Sequence, residues 1–289
     1  MKFLHRHRGL VPYLLLGPGL AWLALFFVAP LGFLGHQSLE TQDPIALTDT
    51  FTWAWHNYSD ALTEYHTQLI RSFKYAGLAT LLALLISYPL AYFIAFRGGR
   101  WKNVLLLCIV GPFFVTYLIR TLAWETILSD NGFVADRLRD LHLIGANDRL
   151  LATSTAVVAG ITYNFLPFMA LPLYVSLEQI DQRLIEAAQD LYANRAWGFL
   201  RVTLPLSLPG IFAGTLLTFI PAAGDFINAQ LLGTPDQAMI GNVIQSKFLN
   251  ILDYPTAAAL SFTLMVFILI GIFIYARLLG AQNLTEAAL

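Results

Sequence analysis

"EAAQDLYANRAWGFLRVTLPLSLPG", residues 186–210, stands between two long apolar runs. Its first half is helix-forming and carries two carboxylates, Glu186 and Asp190, while its second half holds Pro205 and Pro209. Leu177, Ile180, Leu184, Ala187, Ala188 and Leu191 recur at helical spacing, which predicts an amphipathic helix with one apolar stripe. Glu186 and Asp190 share a face, and like charges so placed cost an isolated helix about 0.2–0.5 kcal/mol, so a basic partner nearby would offset them. Asn194 or Gly198 can end the helical run. Pro205 and Pro209 lack amide donors, so no continuous second helix is expected across the junction. The shape implied is a short helix lying across a membrane face, followed by a sharp turn into an apolar span.

The membrane follows from composition. Of 289 residues, 57% are hydrophobic and 12% charged, against roughly 25% charged in soluble domains. A net charge of −1 argues against a nucleic-acid binder. A single cysteine, Cys108, excludes a disulfide framework or multi-thiol metal site within the chain. Crossing about 30 Å of hydrocarbon takes about 20 mostly apolar residues, and six stretches qualify: 10–34, 72–96, 104–128, 151–177, 206–232 and 256–279. Each must be helical, because lipid offers no water to the backbone. The first has a longer apolar run than a signal-peptide core and lacks a small-x-small cleavage site, so it reads as a retained span.

Charge sets the orientation. With the N-terminus inside, ten of the 17 Lys and Arg residues fall in cytoplasmic segments, including the tight turn "RGGRWK" at 97–102. Short juxtamembrane loops of this kind are where the positive-inside bias operates. Both termini are therefore expected in the cytoplasm, which places the 186–210 stretch on the cytoplasmic side between spans four and five. A helix floating on the inner leaflet would present Lys and Arg to anionic lipid. This one presents Glu178, Asp181, Glu186 and Asp190, a sign that favours docking to a protein.

The spacing of Glu186, Ala187 and Ala188, then fifteen residues, then Leu204 and Pro205, resembles the EAA loop of ABC importer permeases. Tyr192 stands where that family usually has glycine. "EAAQDLYANRAWGFLRVTLPLSLPGI" (186–211), "LPFMALPLYVSLEQID" (166–181), "LIRTLAWETILSDNG" (118–132) and "IGNVIQSKFLN" (240–250) are similar to the spermidine/putrescine-type branch, over roughly residues 65–280. The resemblance implies an all-α membrane protein of the type I ABC importer class, with six transmembrane helices and a cytoplasmic coupling helix between spans four and five. It implies a bacterial inner-membrane location, an ATP-binding subunit dimer, a second and related permease, and an external substrate-binding protein. Glu186, Ala187, Ala188, Asp190, Leu191, Tyr192, Leu204 and Pro205 would carry the coupling to the ATPase. Three regions are expected: 1–66 with the first span and an external segment, 67–280 as the permease core with its loop at 177–205, and 281–289 as a cytoplasmic tail.

No phosphate-cradling G-x-x-x-x-G-K-[ST] loop occurs in this sequence, so the chain reads as a transport subunit and not an enzyme. No catalytic residue, metal site or cofactor is expected on it, and ATP and Mg belong to the partner. Ionisable groups at membrane depth are functional candidates by default. Asp225 lies toward the outer half of span five, with Gly224 beside it and Pro221 one turn earlier, a combination that predicts a local break. Glu125 and Arg120 lie near the outer end of span three, and a plain structural account pairs Arg120 with Glu125 or Asp225. Carboxylates and aromatic faces stabilise ammonium groups by about 0.5–2 kcal/mol each, so Trp124, Tyr117, Tyr163, Phe165 and Phe226 join Asp225 and Glu125 as pathway candidates. Polyamine cargo is what the resemblance implies. Ferric iron, thiamine or another solute, a self-contained secondary transporter, and a non-transporting scaffold stand as alternatives.

Overall fold

The structure is a computed structural model that describes residues 11–278 apart from 44–47, 143, 146–147 and 191–193. Four described helices are long and apolar enough to cross a membrane: Leu16–Gln37, His56–Arg97, Ser154–Glu178 and Tyr254–Arg277. Two further apolar segments are helix pairs bent at a short break, by 95° between Gly99–Phe114 and Tyr117–Leu128 and by 61° between Arg195–Leu206 and Leu208–Ala223. Counting each bent pair as one span gives six. The span expected over 104–128 is thus broken at 115–116, and the one expected over 206–232 begins at its bend. Pro112 sits at the start of a 3-10 turn, Gly111–Phe114, and Val115 and Thr116 then leave the helical region at ψ 136° and 141°. The second bend falls at Ser207, between Pro205 and Pro209, where the paired prolines were expected to break the helix.

The chain divides into two compact units. One holds the described residues up to Glu64 together with Ile244–Thr263. Its first span runs from α1 (Val11–Leu23) through a π-helical turn (Ala24–Val28) into α2 (Ala29–Gln37), with large apolar side chains such as Trp22 and Phe27 exposed, as lipid-facing residues are. A short antiparallel hairpin follows, β1 (Glu40–Gln42) with β2 (Asp49–Phe51), paired Glu40 with Phe51. Strands of three residues carry too little period-2 pattern to be read from sequence, and none was expected here. Asn57 Nδ2 donates to the Ser38 and Glu40 carbonyls at 2.9 and 2.8 Å, and Gln42 Nε2 to the Leu252 carbonyl at 2.7 Å, so side chains and not strand length hold the hairpin.

The other unit holds Tyr65–Val243 and the described residues from Leu264 on. Helix α3 (His56–Arg97) has its one non-helical residue, Tyr65, at the division. Beyond the "RGGRWK" turn come α4 (Lys102–Val110), the 3-10 turn and α5 (Tyr117–Leu128), then a short α6 (Phe133–Asp140). Helix α7 (Ser154–Glu178) is the most buried of the four straight spans, with 67% of its apolar window inside the protein. It is apolar all round, as a helix at the centre of a bundle must be.

The loop region comprises α8 (Gln182–Asp190), α9 (Arg195–Gly198), a π turn (Phe199–Thr203) and α10 (Leu204–Leu206). Helix α11 (Leu208–Ala223) then lies on α7, with Gly210 and Gly214 at the closest approach. A methyl group at Gly210 would meet the Ser176 Cβ at 2.5 Å and the Pro172 carbonyl oxygen at 2.7 Å. One at Gly214 would meet Met169 Sδ at 2.8 Å. Small residues four apart let helix backbones approach within a membrane, where packing replaces the hydrophobic effect as the force between helices. The chain then runs through α12 (Ile227–Leu232), α13 (Ile240–Gln245) and α14 (Tyr254–Leu278).

Candidate functional site

The predicted break at Asp225 is present. Helix α11 ends at Ala223, Gly224 caps it, and α12 begins at Ile227. Gly241 backs onto the break so closely that a Cβ there would sit 2.4 Å from the Gly224 carbonyl oxygen. Asn242 Nδ2 donates at 2.8 Å to the Phe226 carbonyl, which also accepts the Gln230 N–H of α12 at 3.0 Å. Irregular backbone at membrane depth is tolerated only where protein or water satisfies it, and the Phe226 carbonyl is satisfied in this way.

Asp225 is 6% exposed and lies at the centre of a polar cluster. Its Oδ2 accepts from the Tyr117 hydroxyl and from Asn228 Nδ2, both at 2.5 Å, and its Oδ1 accepts from the Asn228 backbone N–H at 3.1 Å. Asn228 Oδ1 accepts from Asn164 Nδ2 at 3.1 Å, and Asn164 Nδ2 also reaches Thr121 Oγ1 at 3.1 Å. The cluster thus ties α5, α7 and α12 together through Tyr117, Thr121, Asn164, Asp225 and Asn228. Asn164 Oδ1 remains buried without a hydrogen-bond partner. Thr121, Asn164 and Asn228 are members of the site that were not expected from the sequence. Two asparagines inside apolar runs, "ITYNFL" and "DFINA", were the available signal.

The aromatic candidates fall into two groups around this cluster. Tyr117 packs on Phe165 with ring centroids 5.9 Å apart, and Trp124 on Tyr163 at 5.5 Å. Phe165 is buried in the apolar core, whereas Trp124, Tyr163 and Phe226 are half-buried. Glu125 is half-buried and makes no ion pair with a described residue.

The expected pairing of Arg120 with Glu125 or Asp225 is not formed. Arg120 is 7% exposed, and its guanidinium lies over the rings of Phe113 and Tyr117, with Cζ 5.2 and 5.7 Å from the centroids. Tyr117 takes the place at Asp225 that an arginine would have filled.

In the loop region the helix carrying Glu186 is separate from the span before it. Helix α7 stops at Glu178, and Asp181 Oδ1 accepts from the Arg183 backbone N–H at 2.9 Å to start α8. The single stripe from Leu177 to Leu191 is therefore corrected: Leu177, at the end of α7, and Ile180, in the turn after it, are buried in the core, Leu184 and Ala187 are exposed, and Ile185 is the residue of α8 packed on the core. Glu186 and Asp190 point outward, Ala188 and Leu204 are half-buried, and Pro205 is exposed. Leu191 and Tyr192 lie outside the described residues. Asn194, expected as a stop, instead opens α9, its Oδ1 accepting from the Trp197 N–H at 2.8 Å. Gly198 ends α9 but leads directly into the π turn. Glu178 is engaged by the Lys102 ammonium of the "RGGRWK" turn, which also lies 5.3 Å over the Tyr174 ring. Arg201 stacks on Trp197 at 4.4 Å.

Residues 87–280 match the family model described as "Binding-protein-dependent transport system inner membrane component". The chain is 38% identical over 258 residues to the spermidine/putrescine transport system permease protein PotB of Escherichia coli K12, covering 89% of this chain and 93% of that one. It is equally similar to PotB of Haemophilus influenzae, and 31% identical over 283 residues to the inner membrane ABC transporter permease protein YdcU of Escherichia coli K12. Among solved structures, a chain of a bacterial ABC transporter involved in import of alginate superimposes with a TM-score of 0.68 over 96% of this chain and 97% of that one, at 20% identity. A chain of the MetNI methionine ABC transporter gives 0.53 over 76% and 94%, at 15% identity.

Proposed function

The chain belongs to the family of binding-protein-dependent transport system inner membrane components, and we propose from that premise that it is the pathway-forming permease of an ATP-driven polyamine importer. It is a multi-pass inner-membrane protein by the same membership. Spermidine or putrescine enters as cargo from the names of the relatives 38% identical to it.

The observation that carries the mechanism is the outward presentation of Glu186, Ala187 and Asp190 on a short helix whose Ile185 is anchored in the core. An anchored helix with an exposed acidic face transmits force in both directions, and small side chains at 187 and 188 leave room for a partner's surface. A separate ATPase dimer grips this helix on the cytoplasmic side, Leu191, Tyr192, Leu204 and Pro205 complete the contact, and both termini share that side. Closure of the dimer on ATP then switches the spans between outward and inward access. A second, related permease completes the pathway, and an external binding protein delivers the cargo.

Within the chain, Asp225 is the cargo-facing carboxylate. Tyr117 and Asn228 occupy it while the site is closed, and Tyr117, Phe165, Phe226, Trp124 and Tyr163 supply ring faces, with Glu125 as a further acceptor. A carboxylate held by neutral donors can exchange them for an ammonium, whose charge makes the stronger hydrogen bond.

Reconstitution of the chain with the ATPase, the second permease and the binding protein in vesicles, with labelled spermidine, tests the whole reading. Uptake is expected only with ATP and with every subunit present, and Glu186→Lys is expected to abolish it while the protein stays in the membrane. Normal uptake by Glu186→Lys overturns the role of the helix. Uptake by this chain alone would instead favour a secondary transporter, a class that shares the broken spans seen here.

A further inference from the structure

Arg120 is a buried cation that the site described above leaves unused. Its Nε has no hydrogen-bond partner, and no carboxylate among the described residues lies within ion-pair distance of it. A guanidinium keeps its charge at every accessible pH, and a charge inside a membrane protein is costly unless paired. Stacking on two rings returns only part of that cost. The two rings lie on opposite sides of the 95° bend, Phe113 in the 3-10 turn and Tyr117 in α5. Tyr117 in turn donates to Asp225. One phenol ring therefore touches both the unpaired cation and the carboxylate that would neutralise it.

We propose that Arg120 is the release lever of the Asp225 site: when the bend between Phe113 and Tyr117 changes with the access state, the Arg120 guanidinium takes the Asp225 carboxylate from the cargo ammonium. This rests on the reading of Asp225 as the cargo-facing carboxylate. A polycation held by a carboxylate in a dry site leaves slowly unless another cation replaces it. An arginine fork can engage both carboxylate oxygens at once, and here it stands one residue away behind Tyr117. The exchange conserves charge in the site, one cation for another on a single anion. The arginine is thus a positioning residue that governs how long Asp225 holds the cargo.

The test uses the complete assembly in vesicles, loaded with labelled spermidine through its binding protein. Arg120→Met is the main variant, because it removes the charge and keeps an unbranched apolar stem that can pack on Phe113 and Tyr117. It is expected to lower uptake about tenfold and to raise the labelled spermidine retained on the assembly after ATP hydrolysis. Arg120→Lys keeps the charge and is expected to restore release. In an Asp225→Asn background, Arg120→Met is expected to add no further retention. Unchanged or lowered retention in Arg120→Met overturns the lever, and so does loss of that variant from the membrane, which would make Arg120 a structural contact. If Asp225→Asn itself leaves uptake unchanged, the cargo reading fails first; if Asp225→Asn impairs uptake and Arg120→Met does not, only the lever fails.

Discussion

Replacing Gly210 with alanine tests whether the backbone approach of α11 to α7 sets the position of the broken span. The added methyl would lie 2.5 Å from the Ser176 Cβ, 2.7 Å from the Pro172 carbonyl oxygen and 3.2 Å from the Leu173 Cα. Carbon–carbon contacts are comfortable at about 3.5–4.0 Å, so α11 has to withdraw by roughly an ångström. Two of the three obstacles are backbone atoms of a buried helix and cannot rotate away. Overpacking of this kind costs about 1–3 kcal/mol, and the rigidity of the obstacles puts Gly210→Ala in the upper half of that range. Against it stands the gain of about 0.8–1.0 kcal/mol from alanine's higher helix propensity, leaving a net loss of roughly 1–2 kcal/mol. Gly271→Ala is the internal control, because a Cβ at Gly271 meets nothing within 4 Å and only the propensity gain remains. Thermal unfolding of the two purified variants in the same detergent, followed by tryptophan fluorescence, reads the difference. The melting temperature of Gly210→Ala should fall by several degrees, and that of Gly271→Ala should hold or rise. Equal stability of the two would refute the claim that the glycine exists for close packing. The displacement should also reach the hydrogen bond between Asn164 of α7 and Asn228 of α12, which follows α11 across the break, so uptake should fall with stability.

Further outcomes follow from individual contacts. Asp225→Asn should leave membrane levels intact and reduce spermidine uptake by at least about tenfold, the loss expected when a charge-assisted contact worth about 1.5–3 kcal/mol is removed; wild-type uptake kinetics would take Asp225 out of the pathway. Lys102→Glu should impair coupling by repelling Glu178, and adding Glu178→Lys should restore it. Its effect on the melting temperature should be small because solvent screens an exposed pair, and a fall in melting temperature without a transport defect would count against this role. Tyr88→Phe removes the 2.8 Å hydrogen bond to Ser207 at the bend between the loop and α11. A loss of about 1 kcal/mol in unfolding measurements is expected, and none would show that the prolines alone hold that bend.

Much of the architecture was written in the sequence. Twenty-residue apolar runs have one solution in lipid, a helix, and the acidic segment between the fourth and fifth of them has nowhere to go but the membrane face. Pro221 and Gly224, just before Asp225, marked the break in span five. Prolines and glycines act locally, through a missing donor or a missing Cβ, so their consequences can be read without the rest of the chain.

Tertiary structure decided what depends on distance between spans. The close approach of α7 to α12 at Gly160, where a Cβ would meet Asn228 Oδ1 at 2.7 Å, accompanies the pairing of Asn164 with Asn228, and neither asparagine announces a partner from its own neighbourhood. The stripe of α8 turned out differently from its periodicity, because Asp181 starts a new helix and the turn before it resets which side faces the core. Arg120 is the sharpest case. Spacing along the chain placed it within reach of Glu125, but the fold set Tyr117 between it and the nearest useful carboxylate. Hydrophobicity and backbone chemistry are properties of a residue and its sequence neighbours, whereas the pairing of buried polar groups is a property of three-dimensional proximity, which a one-dimensional pattern does not contain.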